Sequence, residues 1–180
     1  MYTCVVLNSN LQVQKTSLDG VLEIFPITNF EDFRGNYLEL YNLKVYNNFG
    51  INQDFLQDDL SFSRQNVLRG IHGDNQTWKL VSCISGSIYL IVVNNDHQSS
   101  QFKKWESFTL SSTNYRQILV PPNFGIGHLV LSSTAIFHYK QTTEYHPESQ
   151  FTIKWDDPNY KFWWPISNPI TSIRDQSLFK

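Results

Sequence analysis

Lys79-Leu80-Val81-Ser82-Cys83-Ile84-Ser85-Gly86-Ser87-Ile88-Tyr89-Leu90-Ile91-Val92-Val93 sets two apolar runs around a Ser-Gly turn dipeptide. The second run is rich in β-branched residues, which suit a pleated and largely buried strand. The spacing predicts strands over 79–84 and 87–93, paired as a hairpin in the core. Asn94-Asn95-Asp96 supplies the turn chemistry that stops the second strand. Outward from this stretch, short runs of the same kind recur. They are Val21–Phe25, Asn36–Tyr41, Asp59–Ser63, Trp105–Leu110, Gln117–Val120, His128–Leu131, Ala135–Lys140 and Phe151–Lys154. No stretch holds a helical period for long, and only a short helical piece near Val45–Phe49 is expected. The polar segment 99–104 and the C-terminal segment 168–180 read as loops. Many short strands at close spacing indicate an all-β sandwich or barrel.

The chain has 180 residues, a length that fits one domain over 1–180 with a sizeable core. Its formal net charge is −2, so no basic field exists to hold nucleic acid or an anionic membrane. An aromatic share of 15% rules out a disordered chain. Cys4 and Cys83 are the only cysteines, too few for a zinc cluster, and nothing favours a disulfide between them. No signal peptide is evident, and the longest apolar run, Ile88–Val93, is too short to span a bilayer. A reduced, cytoplasmic protein is therefore expected.

Five histidines carry the chemical options. His97 follows Asn-Asn-Asp and His146 precedes Pro147, so both read as solvated loop residues. His138 lies in an alternating strand and reads as a packing residue. His72 differs, because it ends the apolar run Val67-Leu68-Arg69-Gly70-Ile71, with Asp74 and Lys79 close behind. An arginine and a histidine near one strand end suit an anion site with a proton-transfer group. Pro122-Asn123-Phe124-Gly125-Ile126-Gly127-His128 resembles the second metal-binding motif of cupins. The first such motif needs His-x-His and a later Glu, and these are lacking, so a metal site has too few ligands in order. For His128 the simpler reading is a strand-start histidine with a structural hydrogen bond. No nucleophile elbow, P-loop or dinucleotide fingerprint is present.

The ordered set Phe33-Arg34-Gly35-Asn36-Tyr37-Leu38-Glu39, Phe55-Leu56-Gln57-Asp58, Ser61-x-Ser63, Leu68-Arg69-Gly70-Ile71-His72 and Lys79-Leu80-Val81 resembles the dTDP-4-dehydrorhamnose 3,5-epimerase family. Pro121-Pro122-x-Phe124, Tyr139-Lys140, Tyr145-x-Pro147, Trp155-x-Asp157-Pro158, Trp164-Pro165 and Arg174-Asp175 extend the likeness from about 21 to 175. The resemblance implies a cupin-type double-stranded β-helix (jelly roll) with short helical pieces, a homodimer, no cofactor and no metal. It also implies action on a nucleotide-linked 4-keto sugar.

By resemblance, His72 is the base that removes a proton next to the C4 ketone, and Asp175 orients and stabilises its imidazolium. Tyr139 is the acid on the opposite face, and Lys79 stabilises the oxyanion. Arg69 is expected at the sugar or pyrophosphate, with Gln57 and Ser61 lining the same pocket. Arg34 and Glu39 are expected at the nucleotide, reaching from the neighbouring subunit, and Tyr145 and Trp164 at the cleft walls. Bland alternatives stand beside these: an ion pair of Arg34 with Asp32 or Glu31, and plain packing for Tyr145.

The chain also departs from the common family pattern. Only six residues separate His72 from Lys79, and the histidine after the proline falls two places late, at His128. This puts the second histidine's contact to the sugar in question. The string Asn66-Val67-Leu68-Arg69-Gly70-Ile71-His72-Gly73-Asp74, with Pro121-Pro122-Asn123 and His128, looks more like a branch acting on GDP-4-keto-heptoses for bacterial capsules, at C3 alone or at C3 and C5. A GDP-linked heptose is thus the expected substrate, with a dTDP-4-keto-6-deoxyhexose as the alternative. A metal-dependent cupin using His72 and His128, and a silent sugar-nucleotide binding module, are readings from other classes.

Overall fold

The computed structural model describes residues 5–8, 11–26 and 28–176. Fourteen strands and two short α-helices run through the described residues in the following order. Five strands come first: β1 (Val5–Asn8), β2 (Gln12–Lys15), β3 (Leu22–Phe25), β4 (Thr28–Asp32) and β5 (Gly35–Glu39). Helix α1 (Leu43–Asn48) follows, then β6 (Gln57–Arg64), β7 (Leu68–Gly73), β8 (Lys79–Ser85), β9 (Ser87–Asn94) and β10 (Trp105–Ser111). The last elements are β11 (Gln117–Val120), β12 (Phe124–Val130), β13 (Thr134–Gln141), β14 (Phe151–Thr152) and α2 (Ile173–Gln176).

Two antiparallel sheets face each other. One has the order β10-β9-β12-β7-β14 and the other β2-β3-β11-β8-β13-β6, with a separate β1-β4-β5 sheet. From β6 to β13 the chain repeatedly crosses from one main sheet to the other. The expected hairpin at Ser85-Gly86 is therefore corrected. Strand β8 pairs with β11 and β13, whereas β9 pairs with β10 and β12. Gly86 is the corner between the sheets, at φ +74°, and a Cβ there would lie 2.2 Å from the Thr134 carbonyl oxygen. Only glycine combines that left-handed backbone with so close an approach. Both runs are apolar on both faces because each strand is buried in a different sheet, a condition that a two-stranded ribbon cannot create.

Three apolar layers result. Val81, Cys83, Ile118 and Phe137 of the six-stranded sheet meet Ile88, Leu90, Val92 and Val130 of the five-stranded sheet in the central layer. Behind the five-stranded sheet, Ile91, Val93 and Leu129 pack on Ile153, Trp164 and their aromatic neighbours from the C-terminal segment. Behind the six-stranded sheet, Ile24, Leu80 and Leu119 are covered by Tyr46 of α1 and by Ile51. Helix α1 starts where Asn42 caps it, its side chain accepting from the Lys44 and Val45 amides at 3.2 and 3.4 Å.

The short helix falls where expected, and 99–104 is a loop. Within 168–180, expected as loop, residues 173–176 form α2, and the last four residues lie outside the described set. Strands β1, β2 and β4 were not expected; they are too polar or too short to stand out. Cys83 is buried and unpaired, and Cys4 lies outside the described residues. No helix among the described residues is long and apolar enough to cross a membrane.

Candidate active site

A cavity of about 510 Å³ opens between the two sheets. Arg69 and His72 of β7 and Ile126 and His128 of β12 form its wall on the five-stranded side. Ser61 of β6, Lys79 of β8, and Phe137, Tyr139 and Gln141 of β13 form its wall on the six-stranded side. Tyr145, Gln150, Arg174 and Asp175 complete the rim. Alternation along each strand explains the choice. On β13, Phe137 and Tyr139 face inward, while His138 faces out to Asp58 and Ser82.

His72 and Asp175 are joined, with Nε2 2.7 Å from Oδ1. Helix α2 brings the carboxylate there. Arg174 anchors it by donating to Tyr145 Oη, Gln150 Oε1 and Thr152 Oγ1 at 3.3–3.4 Å. Burial alone would raise the Asp175 pKa, but hydrogen bonds from His72 and Ser172 and the His72 charge hold it below the usual carboxylate range. Opposite this pair, burial pushes the Tyr139 phenol up to about 12, helped by Asp59 and Tyr145. Its proton therefore stays in place across neutral pH. Burial lowers the Lys79 pKa against the pull of Asp74, whose carboxylate lies 3.9 Å away. Asp74 is in turn held by the Gln76 and Thr77 amides at 2.9 and 2.7 Å.

His72, Tyr139, Lys79, Asp175, Arg69, Ser61, His128 and Tyr145 thus all line one cavity. Four other expected residues do not. Gln57 sits behind the wall, accepting from the Tyr145 amide at 3.0 Å and donating to Asp59 at 2.8 Å. Trp164 is only 9% exposed and packs in the apolar layer behind the five-stranded sheet, its indole N–H given to the Trp155 carbonyl at 2.8 Å. It does not line this cavity, because the outer face of that sheet needs a large apolar cover. Arg34 lies on the β4–β5 ribbon, 77% exposed in its side chain, and pairs with Asp32 at 2.6 Å. Glu39, on β5, accepts from Asn42 at 3.2 Å. Neither lines the cavity of its own chain.

His128 is also corrected. It stands well inside β12 rather than at its start, and its Nε2 is buried with no hydrogen-bond partner. Sequence reasoning passed over Phe137, Gln141 and Arg174 as site residues. For Arg174 the signal was its place beside Asp175. Among the described residues no group of three or more His, Cys, Asp or Glu side chains is placed to hold a metal ion.

Two facing antiparallel sheets with few helices and a polar cleft between them define a cupin-type enzyme fold. The family profile described as dTDP-4-dehydrorhamnose 3,5-epimerase matches residues 15–180, and the chain belongs to that family. It is an isomerase acting on sugar nucleotides. The Escherichia coli K12 dTDP-4-dehydrorhamnose 3,5-epimerase is 38% identical over 174 residues, covering 94% of each chain. The Legionella pneumophila dTDP-6-deoxy-D-glucose-3,5-epimerase, solved with dTDP-4-keto-L-rhamnose, superposes with a TM-score of 0.87 at 36% identity, covering 92% of this chain and 90% of that one. The Bacillus anthracis dTDP-4-dehydrorhamnose 3,5-epimerase, solved with TDP and PPi, gives 0.88 at 32% identity, covering 92% and 97%. These relatives are named for dTDP-linked sugars, and the expected GDP-heptose branch draws no support from them.

Proposed function

We propose that the chain, as one domain, inverts C3 and C5 of a dTDP-linked 4-keto-6-deoxyhexose through an enolate. The observation that carries this reading is the pairing of His72 with Asp175 on one wall and Tyr139 on the other. The C4 ketone acidifies the hydrogens on C3 and C5. With His72 Nε2 donating to Asp175, Nδ1 keeps the lone pair that takes the proton. Asp175 orients the ring and stabilises the imidazolium. The C–H electron pair moves into an enolate, whose oxygen Lys79 stabilises as a preorganised cation. Tyr139 then gives its proton from the other side of the sugar ring, which inverts the carbon. Each proton transfer of this kind is worth ~10²–10⁴-fold.

Arg69, an exposed side chain at the cavity, suits the diphosphate, and Tyr145 the sugar or the base. The chain acts as a homodimer, in which Arg34 and Glu39 on the β4–β5 ribbon reach the nucleotide of the neighbouring subunit. The outer face of the six-stranded sheet supports this, because it leaves Leu60 at 51% and Phe62 at 66% exposure. An apolar sheet face of that kind suits a second copy.

A GDP-4-keto-heptose is the second reading, favoured by the string from Asn66 to Asp74 together with Pro121-Pro122-Asn123 and His128. Turnover assays across dTDP-, GDP- and CDP-linked 4-keto sugars test both. Epimerisation of the dTDP-4-keto-6-deoxyhexose supports the first reading. Turnover of the GDP-heptose alone would replace it with the second. Inactivity on every nucleotide 4-keto sugar, with nucleotide still bound, would leave only a binding module.

A further inference from the structure

His128 is 5% exposed, and its Nε2 is sealed from solvent without a partner although the side chain lines the cavity. Its ring stacks on Phe137 with centroids 4.2 Å apart and planes 26° apart, so the face is occupied and the ring is fixed. Phe137 is also the ladder partner of Ser61. Ser61 Oγ is a second buried polar atom in this cavity without a partner. Two such atoms flank one aromatic ring. Leaving buried polar groups unpaired costs free energy, and an unpaired pair of them inside a binding cavity points to a polar ligand group that completes both. We infer that His128 Nε2 and Ser61 Oγ form a hydroxyl-reading subsite for the ring of the substrate sugar.

Strand register identifies the ligand part. On β12, Ile126 pairs with His72 and His128 with Arg69, and the charges of Asp175 and His72 both act on the His128 ring, which places it near the proposed dyad. Gly127 permits this closeness, since a Cβ there would lie 2.8 Å from Ile71 Cγ1. Whatever occupies this corner is the part of the substrate that meets His72, the sugar ring and not the nucleobase. A methyl group satisfies neither atom, and the C4 oxygen is assigned to Lys79, which leaves a ring hydroxyl. Burial drives the His128 pKa down to about 3, and Arg69 lowers it further against the pull of Asp175. The imidazole is neutral at working pH, with one donor and one acceptor nitrogen.

The inference rests on the proposed epimerase reading and is tested separately from it. The probes are dTDP-4-keto-6-deoxyglucose and its 2-deoxy and 3-deoxy analogues. All three retain the C5 hydrogen, and kcat/KM is read from deuterium entry at C5. The wild type is expected to disfavour one analogue by about tenfold or more, as a site built for a hydroxyl does. In His128→Phe, which keeps the stack on Phe137, that discrimination falls to about twofold or less. Ser61→Ala reduces it in the same direction, and His128→Gln, which restores a nitrogen near Nε2, recovers part of it. Equal discrimination in wild type and His128→Phe would overturn the inference, as would a wild type indifferent to both hydroxyls. Failure of the wild type to exchange any of the three sugars would instead overturn the epimerase reading.

Discussion

His72 Nε2 lies 2.7 Å from Asp175 Oδ1, although 103 positions separate the two residues in the chain. The contact joins β7 to the short helix α2 and depends on Arg174, whose guanidinium ties α2 to Tyr145, Gln150 and Thr152. Asp175→Asn keeps the shape but removes the charge that stabilises an imidazolium. Turnover is expected to fall ~10²-fold or more, with a much smaller change in KM, as steady-state kinetics would record. A variant with unaltered kcat would detach Asp175 from the chemistry.

Tyr139 stands on the sheet opposite His72. Tyr139→Phe leaves the base intact and removes the proton donor on the far side. Deuterium is then expected to enter the starting epimer faster than the inverted sugar appears. The measurement is a time course of both by proton NMR. Inversion at the wild-type rate would remove Tyr139 from the mechanism.

His128 adds a pH dependence to stability. Its pKa is about 3 when folded, because burial disfavours the cation, against an ordinary 6.5. Between these values the unfolded chain binds the extra proton, so stability falls as pH drops through 6.5 toward 3. The contribution lost by pH 5 is about 2 kcal/mol. Urea unfolding of wild type and His128→Phe at pH 7.5 and pH 5 measures it. The variant is expected to lose less stability on acidification. Parallel losses in both proteins would show that His128 titrates normally.

The corner at Gly86 is a structural test. Its φ of +74° and the 2.2 Å approach to the Thr134 carbonyl leave no room for a side chain. Gly86→Ala is expected to destabilise the protein by at least ~2 kcal/mol, read as a lower denaturant midpoint. A neutral outcome would contradict the close approach of Gly86 to the Thr134 carbonyl.

Much of this architecture was legible in the residues themselves. The runs at 79–84, 87–93, 117–120 and 135–140 became strands because β-branched residues in short blocks suit nothing else. Which strands pair was not legible. Ser85-Gly86 specifies a sharp reversal but not whether the chain stays in its sheet, a matter that packing of both faces decides. His72, Lys79, Tyr139 and Asp175 line one cavity although they are spread along the chain. Trp164 and Gln57 did not follow, since an aromatic or an amide in a motif can serve the wall or its backing equally well. The state of His128 was beyond the sequence, because an unpartnered nitrogen is a property of three-dimensional surroundings.

His72 as the proton acceptor is the central element of the mechanism. Proton NMR of dTDP-4-keto-6-deoxyglucose in D₂O, with wild type and His72→Asn at equal concentration, reads that step. Solvent deuterium is expected at C3 and C5 with the wild type and at neither carbon with the folded variant. Undiminished exchange by His72→Asn would contradict the account.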